Sequence, residues 1–559
     1  MIERRIGLLF ACFLLLFCLA IGRAAWVQGV QGAGLSADAN SQHTQSITVP
    51  GQRGSILDRQ GRELAVSEDA ADVVATPYQV KHPSAAASRL SSALPVSRAD
   101  IYKALSDRSS GFAYVARAVD LKTAARVRRL GIGGIATVPA TRRLYPEGKL
   151  ATQVIGTVGT DGQGLTGLEA SDNSLLGAAS GERAVTVDGL GKEIQRSTIS
   201  PAQHGQDLKL TIDAQIQAKT EQVLAGIGAT YQPKDATAIV MNPRNSQVLA
   251  MADWPTVNPA DPGSANPRDL QNMATGFTYE PGSTFKAFTV AGALQQHMVT
   301  PSTVFQLPTE LHVADRTITD AEARGPVSLT VAQILAQSSN VGAVRIGLGL
   351  GAQHFYDWVR RFGFAVPTGI QFPGEERGIV PTPSQFSGST MGNLPMGQGL
   401  SVTPIQMAAA YSAIADGGIL RPPQLVLDQG ETKVAEPPGR RVISSANAAK
   451  LRQMLEGVLA PGGTASEVSI PGYTLAGKTG TAQVAINGGY STTKFIASFV
   501  GFAPANNPRL LVAVVVNDPK GGNYYGGTVA APAFGEIAKF ALPYLEIPPD
   551  QAGTATAAP

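Results

Sequence analysis

Three short motifs in a fixed order constrain this chain more than any other feature. Ser283-Thr284-Phe285-Lys286 comes first, Ser338-Ser339-Asn340 second and Lys478-Thr479-Gly480 third. The first motif places a hydroxyl and an amine one helical turn apart. The second adds another hydroxyl and an amide, and the third adds a second amine. A fold that brings them together has the groups needed for acyl transfer by a serine without a histidine.

Each motif alone is weak evidence for a function. The order of the three motifs and the residues around them make the evidence stronger. Ser491-Thr492-Thr493-Lys494 has the spacing of the first motif, and three other segments fit S-x-N. Only Ser283 follows Pro281-Gly282 and opens an apolar run with helical spacing. Lys478-Thr479-Gly480 occurs once and continues as Thr481-Ala482-Gln483. We therefore take the ordered set as the candidate site.

Composition excludes several classes of function. The 559 residues carry a net charge of only +3 and no basic run, which argues against nucleic acid as a main partner. Both cysteines, Cys12 and Cys18, lie in one apolar run, so the rest of the chain has neither disulfides nor thiolate metal ligands. The six histidines show no metal-ligand spacing. We expect no metal and no cofactor.

An apolar run from Ile6 to Gly22 predicts a membrane anchor, since at helical rise it spans roughly 26 Å, close to a hydrocarbon core. Arg4 and Arg5 precede it and predict a cytoplasmic N-terminus, while Trp26 suits the far interface. The alternative is a cleaved signal peptide, although the run is long for one. Either way, the remaining chain lies outside the cytoplasm. We expect a single-pass protein of the cytoplasmic membrane.

The rest of the chain divides into two folded parts of α/β class. We predict a cytoplasmic N-terminus (1–5), an anchor (6–22), a stalk (23–45), a β-rich module called the pedestal (46–205), a catalytic domain (206–547) and a disordered tail (548–559). The catalytic domain combines hairpin strands, a long helical stretch and late strands. That order predicts an antiparallel sheet flanked by helices.

Local patterns predict individual elements. Leu121 to Leu130 reads as a helix capped by Asp120, and Asp213 or Thr211 caps a helix through Ile216 and Leu224. The hairpin comprises 236–241 and 247–252, and the late strands comprise 477–484, 495–502 and 510–517. Residues 58–61 form a turn between two short strands.

The candidate site residues have defined chemical roles in this hypothesis. Ser283, at the start of a helix, is the nucleophile, and Lys286 is its base if burial or a second cation, Lys478, lowers its pKa. Ser338 bridges the two lysines and passes the proton to the leaving amine, and Asn340 holds a substrate amide. A surface lysine and helix caps explain the same residues without catalysis.

The third motif is expected to bind the substrate. Lys478, with Thr479 or Thr481, binds a carboxylate, and Gly480 leaves room for a substrate backbone to pair with the strand. The oxyanion hole consists of the backbone N–H groups of Ser283 and Thr481. The alternative is a lysine and threonines on an ordinary edge strand.

With these residues in place, the chain resembles the class B penicillin-binding proteins, for which the trio is a known signature. Family-like segments cover nearly the whole chain, and its end looks most like the cell-division type, penicillin-binding protein 3, with the elongation type second. These segments are 53–65, 142–146, 164–169, Met396-Gly397-Gln398-Gly399 with Thr403-Pro404, 524–527 and 530–532.

The resemblance implies a membrane-anchored D,D-transpeptidase that cross-links peptidoglycan. Ser283 attacks the D-Ala–D-Ala carbonyl of a stem pentapeptide, an amine from a neighbouring stem resolves the acyl-enzyme, and β-lactams acylate the same serine. It also implies a membrane glycosyltransferase and other divisome proteins as partners. Ser339 stands where class A β-lactamases have aspartate, which is common in class B proteins.

Three other functions stay open. A β-lactamase shares the acylation but needs a base for water, and no clear E-x-x-L-N segment lies between Ser338 and Lys478. A non-catalytic scaffold is expected to lose Ser283 or Lys286, and both are present. A β-lactam sensor usually needs several membrane segments or a cytoplasmic output domain. A D,D-carboxypeptidase shares the acyl-enzyme and differs only in its acceptor. The sequence does not separate it from a transpeptidase.

Overall fold

Two compact units, each assembled from segments that are separate in sequence, make up the chain. The computed structural model describes residues 2–32, 44–187, 193–486 and 489–551. The smaller unit contains Met1–Arg53, Glu68–Arg142 and Ala178–Gly205. The larger unit contains Gly54–Ser67, Arg143–Gly177 and Gln206–Pro559. The chain passes from the smaller to the larger unit for the last time between Gly205 and Gln206, and two earlier segments, Gly54–Ser67 and Arg143–Gly177, also belong to the larger unit.

The strands and helices are numbered in chain order. The strands are β1 (Thr44–Val49), β2 (Ile56–Leu57), β3 (Glu63–Ala75), β4 (Ala113–Asp120), β5 (Ile135–Leu144), β6 (Gly181–Val187), β7 (Glu193–Ser200), β8 (Leu208–Leu210), β9 (Asp235–Asn242), β10 (Gln247–Trp254), β11 (Val304–Leu307), β12 (Glu310–Val313), β13 (Arg316–Thr319), β14 (Val327–Thr330), β15 (Ile419–Leu420), β16 (Val426–Gln429), β17 (Thr432–Lys433), β18 (Arg440–Arg441), β19 (Ala476–Ile486), β20 (Gly489–Ala503) and β21 (Leu510–Asn517). The helices are α1 (Ile2–Gly29), α2 (Pro83–Ser91), α3 (Arg98–Ser106), α4 (Leu121–Arg129), α5 (Thr152–Ile155), α6 (Gly167–Ser171), α7 (Asn173–Leu176), α8 (Ala214–Tyr231), α9 (Met273–Gly276), α10 (Lys286–Gln295), α11 (Val331–Ala336), α12 (Asn340–Leu350), α13 (Ala352–Arg361), α14 (Thr390–Asn393), α15 (Pro404–Ala415), α16 (Ser445–Glu456), α17 (Gly526–Val529) and α18 (Ala531–Tyr544).

The N-terminal apolar run forms one long helix, α1. It covers the predicted anchor and continues to Gly29, so the first part of the predicted stalk is helical. Its large apolar side chains are exposed, from Ile6 to Trp26. Its length and composition suit a single membrane span. Residues 33–43 of the predicted stalk lie outside the described residues.

The smaller unit contains a three-stranded antiparallel sheet, an antiparallel pairing of β3 with β4, and a cluster of short helices. β1, β6 and β7 pair in that order, and the second half of β3 pairs with β4. α2, α3 and α4 share an apolar core with these strands that includes Val73, Leu90 and Ile101. Asp120 accepts from the Thr123 N–H and caps α4, which confirms the predicted helix and its cap.

The larger unit is built on an antiparallel sheet in the order β10, β9, β21, β20, β19. The predicted hairpin and the three late strands are its members, and β20 begins earlier than expected. Asp213 caps α8, as one of the two predicted candidates. β19 ends the sheet order and is therefore an edge strand. This architecture confirms the predicted antiparallel sheet flanked by helices.

Both faces of this sheet are buried, which explains why its strands are almost continuously apolar. Phe499, Val512 and Val514 face a core shared with α8 and α18. Val500, Leu511 and Ala513 face a larger core that includes α10 and α15. The helix α10 is therefore held against the sheet, and its first residues come next to β19.

A buried ion pair joins three of the family-like segments within the larger unit. Arg143 lies against Glu169 with 2.7 Å between Nε and Oε1, and both side chains are almost wholly buried. Arg143 also donates to the carbonyl of Gly54 and the hydroxyl of Ser67. These hydrogen bonds satisfy groups that are costly to bury alone. The segments 53–65, 142–146 and 164–169 thus meet at one arginine.

Two sequence expectations need correction. The second of the predicted short strands beside the turn at 58–61 is β3, which is 13 residues long. The predicted disordered tail from Pro548 is hydrogen-bonded at its start, because Asp550 accepts from the Thr474 N–H at 2.7 Å and donates its own N–H to Gly472. Residues 552–559 lie outside the described residues.

Candidate active site

Ser283 lies in a tight turn that leads directly into α10. The sequence predicted the start of an α-helix, but Gly282–Phe285 form a 3₁₀ turn whose Ser283 carbonyl accepts from the backbone N–H of Lys286. The helix itself begins at Lys286. The serine and the lysine therefore belong to one turn. Ser283 is half-buried, whereas its neighbours in the turn are fully buried.

Two contacts fix this turn from below. The Gly282 N–H donates to the Gly397 carbonyl at 3.0 Å, and Gly282 has a φ of +54°, which glycine adopts without strain. The buried Tyr411 of α15 donates its hydroxyl to the Thr284 carbonyl at 2.6 Å. The Met396–Gly399 loop, one of the family-like segments, thus supports the nucleophile turn. Tyr411 was missed, because nothing in its local sequence marks it.

Lys286 is fully buried and bonded to the second motif. Its Nζ lies 2.5 Å from the Ser338 carbonyl, 2.6 Å from Asn340 Oδ1 and 3.3 Å from Ser338 Oγ. Burial lowers the pKa of Lys286 to about 7, and the opposing charge of Asp320 limits the fall. Near neutral pH, a substantial share of this amine is therefore uncharged.

The second motif forms the junction between α11 and α12. Ser338 has a φ of +59°, in the left-handed region that favours glycine, so its conformation is strained. Ser339 caps α12 by accepting from the Gly342 N–H. Asn340 donates to the Thr319 carbonyl at 2.8 Å, which leaves its Oδ1 facing Lys286. These bonds fix the direction of the amide.

Asp320 organises this junction and was missed by the sequence analysis. It accepts from Ser339 Oγ at 2.9 Å and from the Val341 N–H at 3.0 Å, and it pairs with Arg324 at 2.6 Å. It stands in no motif and is brought in by the loop after β13. The aspartate holds the start of α12, and through it the partners of Lys286.

Lys478 of β19 is fully buried as well. Its Nζ lies 3.3 Å from the Thr479 carbonyl and 3.4 Å from Thr479 Oγ1, both long contacts. Burial, and then the charge of Lys286, hold the pKa of Lys478 well below its usual value. The sequence offered burial or the charge of Lys478 as the cause of a lowered Lys286 pKa, and the structure supports burial. Burial lowers the pKa of Lys286, and the charge of Lys286 in turn disfavours a charge on Lys478.

Gly480 packs β19 against the nucleophile turn. A Cβ at this position would lie 2.9 Å from Thr284 Cγ2 and 2.4 Å from Ser498 Oγ. Protein atoms thus fill the space beside this glycine, whereas the sequence analysis predicted that a substrate backbone would approach there. The Gly282 position meets the Thr481 carbonyl and Ala482 in the same way. Ser283 and Thr481 therefore lie on adjoining backbones.

The threonines of the third motif are held by neighbouring segments. Thr479 Oγ1 lies 2.6 Å from Thr464 Oγ1. Thr481 Oγ1 accepts from the Gly526 N–H at 3.0 Å, which leaves the hydrogen of Thr481 available to a ligand. Gly526 belongs to the segment that resembles the cell-division type. Its Cβ position would lie 2.2 Å from the Gly480 carbonyl, so glycine is required for this close approach.

Glu280 is a further polar residue beside the turn that sequence reasoning missed. Its Oε1 accepts from the Gly399 N–H at 3.1 Å and from the Tyr490 hydroxyl at 3.2 Å. Burial raises the pKa of Glu280, and burial together with Glu280 raises the pKa of Tyr490 to about 12. This carboxyl links the nucleophile segment to β20 and to the Met396–Gly399 loop.

The described structure thus brings together most of the predicted residues. Lys286, Ser338 and Asn340 share hydrogen bonds, and Gly480 places β19 beside the Ser283 turn. Among the described hydrogen bonds, those of Lys478 Nζ go to the carbonyl and hydroxyl oxygens of Thr479. The predicted bridge from Ser338 to Lys478 and the predicted oxyanion hole stay predictions. Within the described residues, no group of three acidic, His or Cys side chains is placed to hold a metal.

Comparison with known proteins agrees with this arrangement. Residues 236–539 match the penicillin-binding protein transpeptidase domain, and residues 48–210 match the penicillin-binding protein dimerisation domain. Stage V sporulation protein D of Bacillus subtilis is 33% identical over 98% of this chain and 87% of its own length. Peptidoglycan D,D-transpeptidase FtsI of Escherichia coli is 33% identical over 98% of this chain and 93% of its own length.

A solved structure shares both the fold and its extent. Penicillin-binding protein 3 of Mycobacterium tuberculosis, solved with ampicillin, has a TM-score of 0.72 and 29% identity. The match covers 92% of this chain and 98% of that one. Two matched domain models, relatives aligned over nearly their whole length and the three assembled motifs agree. This chain belongs to the class B penicillin-binding proteins.

Proposed function

We propose that this chain is a peptidoglycan D,D-transpeptidase in which Ser283 forms the acyl-enzyme and neutral Lys286 is its base. The observation that carries the proposal is the buried amine of Lys286, one turn from Ser283, with a pKa of about 7 and three oxygen partners. A structural lysine gains nothing from such a position, because burial disfavours its charged form. A general base, in contrast, needs the lowered pKa that such a buried position gives.

The neutral amine has the right number of hydrogens for its surroundings. Two N–H groups satisfy the Ser338 carbonyl and Asn340 Oδ1, the two closest oxygens. The lone pair then remains to accept a proton from a hydroxyl. Ser283 Oγ loses its proton to Lys286 as the oxygen attacks the D-Ala–D-Ala carbonyl. The tetrahedral oxyanion is stabilised by the backbone N–H groups of Ser283 and Thr481.

Collapse of the tetrahedral intermediate completes acylation. The C–N bond breaks, the leaving D-Ala amine takes the proton from Lys286 through Ser338 Oγ, and an ester to Ser283 remains. Ser338 Oγ lies 3.3 Å from Lys286 Nζ, within reach of such a relay. The acceptor amine then attacks the ester, its proton returns through Lys286 to Ser283 Oγ, and an amide cross-link forms.

The third motif is proposed to bind the terminal carboxylate of the donor peptide. A carboxylate beside Lys478 favours the charged amine, so binding draws a proton onto Lys478. Thr479 and Thr481 contribute hydroxyl donors, and Asn340 and the edge of β19 bind the peptide amides. Tyr524, which stacks on Tyr525 and on Phe495 of β20, comes shortly before Gly526, whose N–H donates to Thr481 Oγ1.

The proposed biological role is septal cell-wall synthesis. The comparisons support a penicillin-binding transpeptidase, and the segment 524–527 favours the division type over the elongation type. Peptidoglycan stem peptides and β-lactams are its ligands. We propose a single-pass anchor in the inner membrane with the catalytic domain outside the cytoplasm, and a membrane glycosyltransferase and other divisome proteins as partners. The domain limits stay those predicted from the sequence.

The experiment that tests the reaction compares two acceptors for one acyl-enzyme. Full-length protein in nanodiscs is incubated with a stem pentapeptide whose terminal D-Ala is isotopically labelled, with and without an added D-amino acid as acceptor. We expect release of labelled D-Ala in both cases, and transfer to the amine to exceed hydrolysis when the amine is present.

The result also separates the alternative functions. Hydrolysis that the amine leaves unchanged would identify a D,D-carboxypeptidase. Rapid turnover of a penicillin without turnover of the peptide would identify a β-lactamase. A folded protein that releases no D-Ala and forms no penicillin adduct would contradict the proposal and leave a non-catalytic scaffold. Ser283→Ala, carried through the same assay, measures the background.

A further inference from the structure

A cavity of about 440 Å³ opens in the larger unit beside α15. Its volume is in the range that holds small ligands. Its walls are mainly apolar and include Phe362, Val366, Leu420, Pro422 and Ala409. The residues that line it do not include Ser283, Lys286, Ser338 or Lys478. The cavity is therefore separate from the site described above.

Local backbone geometry keeps this cavity open. Leu420 of β15 is paired with Arg440 of β18, which places the arginine at the rim above an apolar wall. Gly439 lies so close to Ile419 and Arg421 that a Cβ there would come within 2.4 Å of Ile419. Gly363 has a φ of +89° and turns the chain after α13 back toward Leu420. The walls are thus held by paired backbone.

The rim carries positive charge that the described protein groups leave uncompensated. Arg421 is paired with Asp416, and Glu375 accepts from the N–H and the hydroxyl of Thr368. Arg361 ends α13 directly before Phe362, and Arg440 Nη2 lies 4.0 Å from the Cβ position of Gly363, two residues after Arg361. Partial burial and the charge of Arg361 lower the pKa of Arg440, with no carboxylate opposing them. The charge of Arg440, which lines the cavity, is therefore opposed by the like charge of Arg361 beside it.

We propose that this cavity binds a small amphiphile with one anionic headgroup. Its apolar chain lies against Phe362 and Leu420, and its headgroup lies between the guanidinium groups of Arg361 and Arg440. An anion there relieves the repulsion and receives charge-assisted hydrogen bonds, which guanidinium forms well with carboxylate and phosphate. An uncharged amphiphile gains only the apolar contact with the cavity wall. The inference does not depend on the transpeptidase activity.

Photo-crosslinking on the full-length protein in zwitterionic nanodiscs tests this site. The probe is a decanoic acid that carries a diazirine near its chain end, and the matched neutral probe is the corresponding decanol. We expect the acid to label residues 362–368 or residues around Leu420, about tenfold more than the alcohol does, as a charged hydrogen bond implies. Decanoate and decyl phosphate as competitors distinguish a carboxylate ligand from a phosphate ligand.

Two variants supply the control. The double variant Arg361→Gln with Arg440→Gln should lose most of the acid labelling, while Arg345→Gln, which removes an exposed arginine of α12, should keep it. Penicillin labelling of Ser283 checks that each variant is folded. Equal labelling by acid and alcohol on the wild-type chain would overturn the proposal without any variant. Labels that fall outside the cavity walls, or competition by neither anion, would also overturn it.

Discussion

Two buried amines define the chemistry at the scale of single residues. Lys286 and Lys478 are each fully buried, and burial lowers the pKa of both. The folded-state pKa of Lys286 is about 7, against 10.5 for an ordinary lysine. The unfolded chain therefore binds more protons between these values, and the contribution of Lys286 to stability rises with pH across that window. The protein gives up stability at neutral pH to keep a base available.

The acylation rate should follow the protonation of Lys286. With a pKa of about 7, the neutral fraction of the amine is about tenfold higher at pH 8 than at pH 6. We expect the second-order rate constant for penicillin acylation to rise by the same factor. Asp320→Asn removes the charge that raises the pKa of Lys286, so its profile should shift to lower pH. Stopped-flow fluorescence with a fluorescent penicillin measures both profiles.

A matched control separates this charge effect from general damage. Asp315→Asn changes an exposed carboxyl on the hairpin before Asp320 and should leave the profile where it is. Asp320→Asn keeps an oxygen acceptor for Ser339 and Val341, and we expect it to cost about 1–3 kcal/mol of stability. A wild-type rate that does not change between pH 6 and pH 8 would count against Lys286 as the base.

At the scale of elements, the approach of β19 to the nucleophile turn decides the geometry. Gly480 is where the strand and the turn touch, since a Cβ there would meet Thr284 and Ser498. Its φ is ordinary, so the requirement for glycine is steric. The strand is joined to the turn on one face and to Gly526 on the other. Small displacements of β19 therefore change the spacing between Lys478 and Ser283.

Gly480→Ala should slow acylation more than it destabilises the fold. The added methyl moves the strand away from the turn, and overpacking of this kind costs about 1–3 kcal/mol. We expect the acylation rate constant to fall by about ten- to a hundredfold, because misplacement by about 1 Å costs that much. Thermal melts and stopped-flow acylation give the two quantities. In the same hairpin, Gly489→Ala should change neither, because its Cβ would make an ordinary contact of 3.8 Å with the Ile486 carbonyl.

The elements of this site differ in how far the sequence predicts them. The late strands and the 236–252 hairpin follow from local apolar runs and turns, and the caps at Asp120 and Asp213 follow from neighbours in sequence. The 3₁₀ turn at Ser283 does not, because the contacts to Gly397 and Tyr411 impose it. Asp320, Glu280 and Tyr411 act through partners distant in sequence, and a local pattern carries no signal for such partners.

At the scale of the whole molecule, α1 is long and apolar enough to span a membrane. The helix is longer than the apolar run that predicted it, at 28 residues or about 42 Å, so its ends extend beyond a hydrocarbon core. The structure of this helix suits both an uncleaved anchor and a signal sequence. Only the covalent state of the mature protein separates the two.

A tag before Ile2 should remain on the mature protein. We expect the tagged chain to stay in the membrane fraction after an alkaline wash, because a single apolar span of this length does not leave the bilayer. An added protease should reach the catalytic domain from the outer face of spheroplasts while a cytoplasmic marker stays intact. Loss of the tag with soluble protein of lower mass would indicate a cleaved signal peptide.

The most direct test of the account is the mass of the intact protein after exposure to penicillin. If Ser283 is the nucleophile, the wild-type protein gains the mass of one ring-opened penicillin, and peptide mapping places the adduct on Ser283. Ser283→Ala should gain nothing, whereas Ser491→Ala, which alters the look-alike motif, should be acylated as the wild type is. An adduct on Ser491 or another residue, or an adduct that persists in Ser283→Ala, would contradict the account.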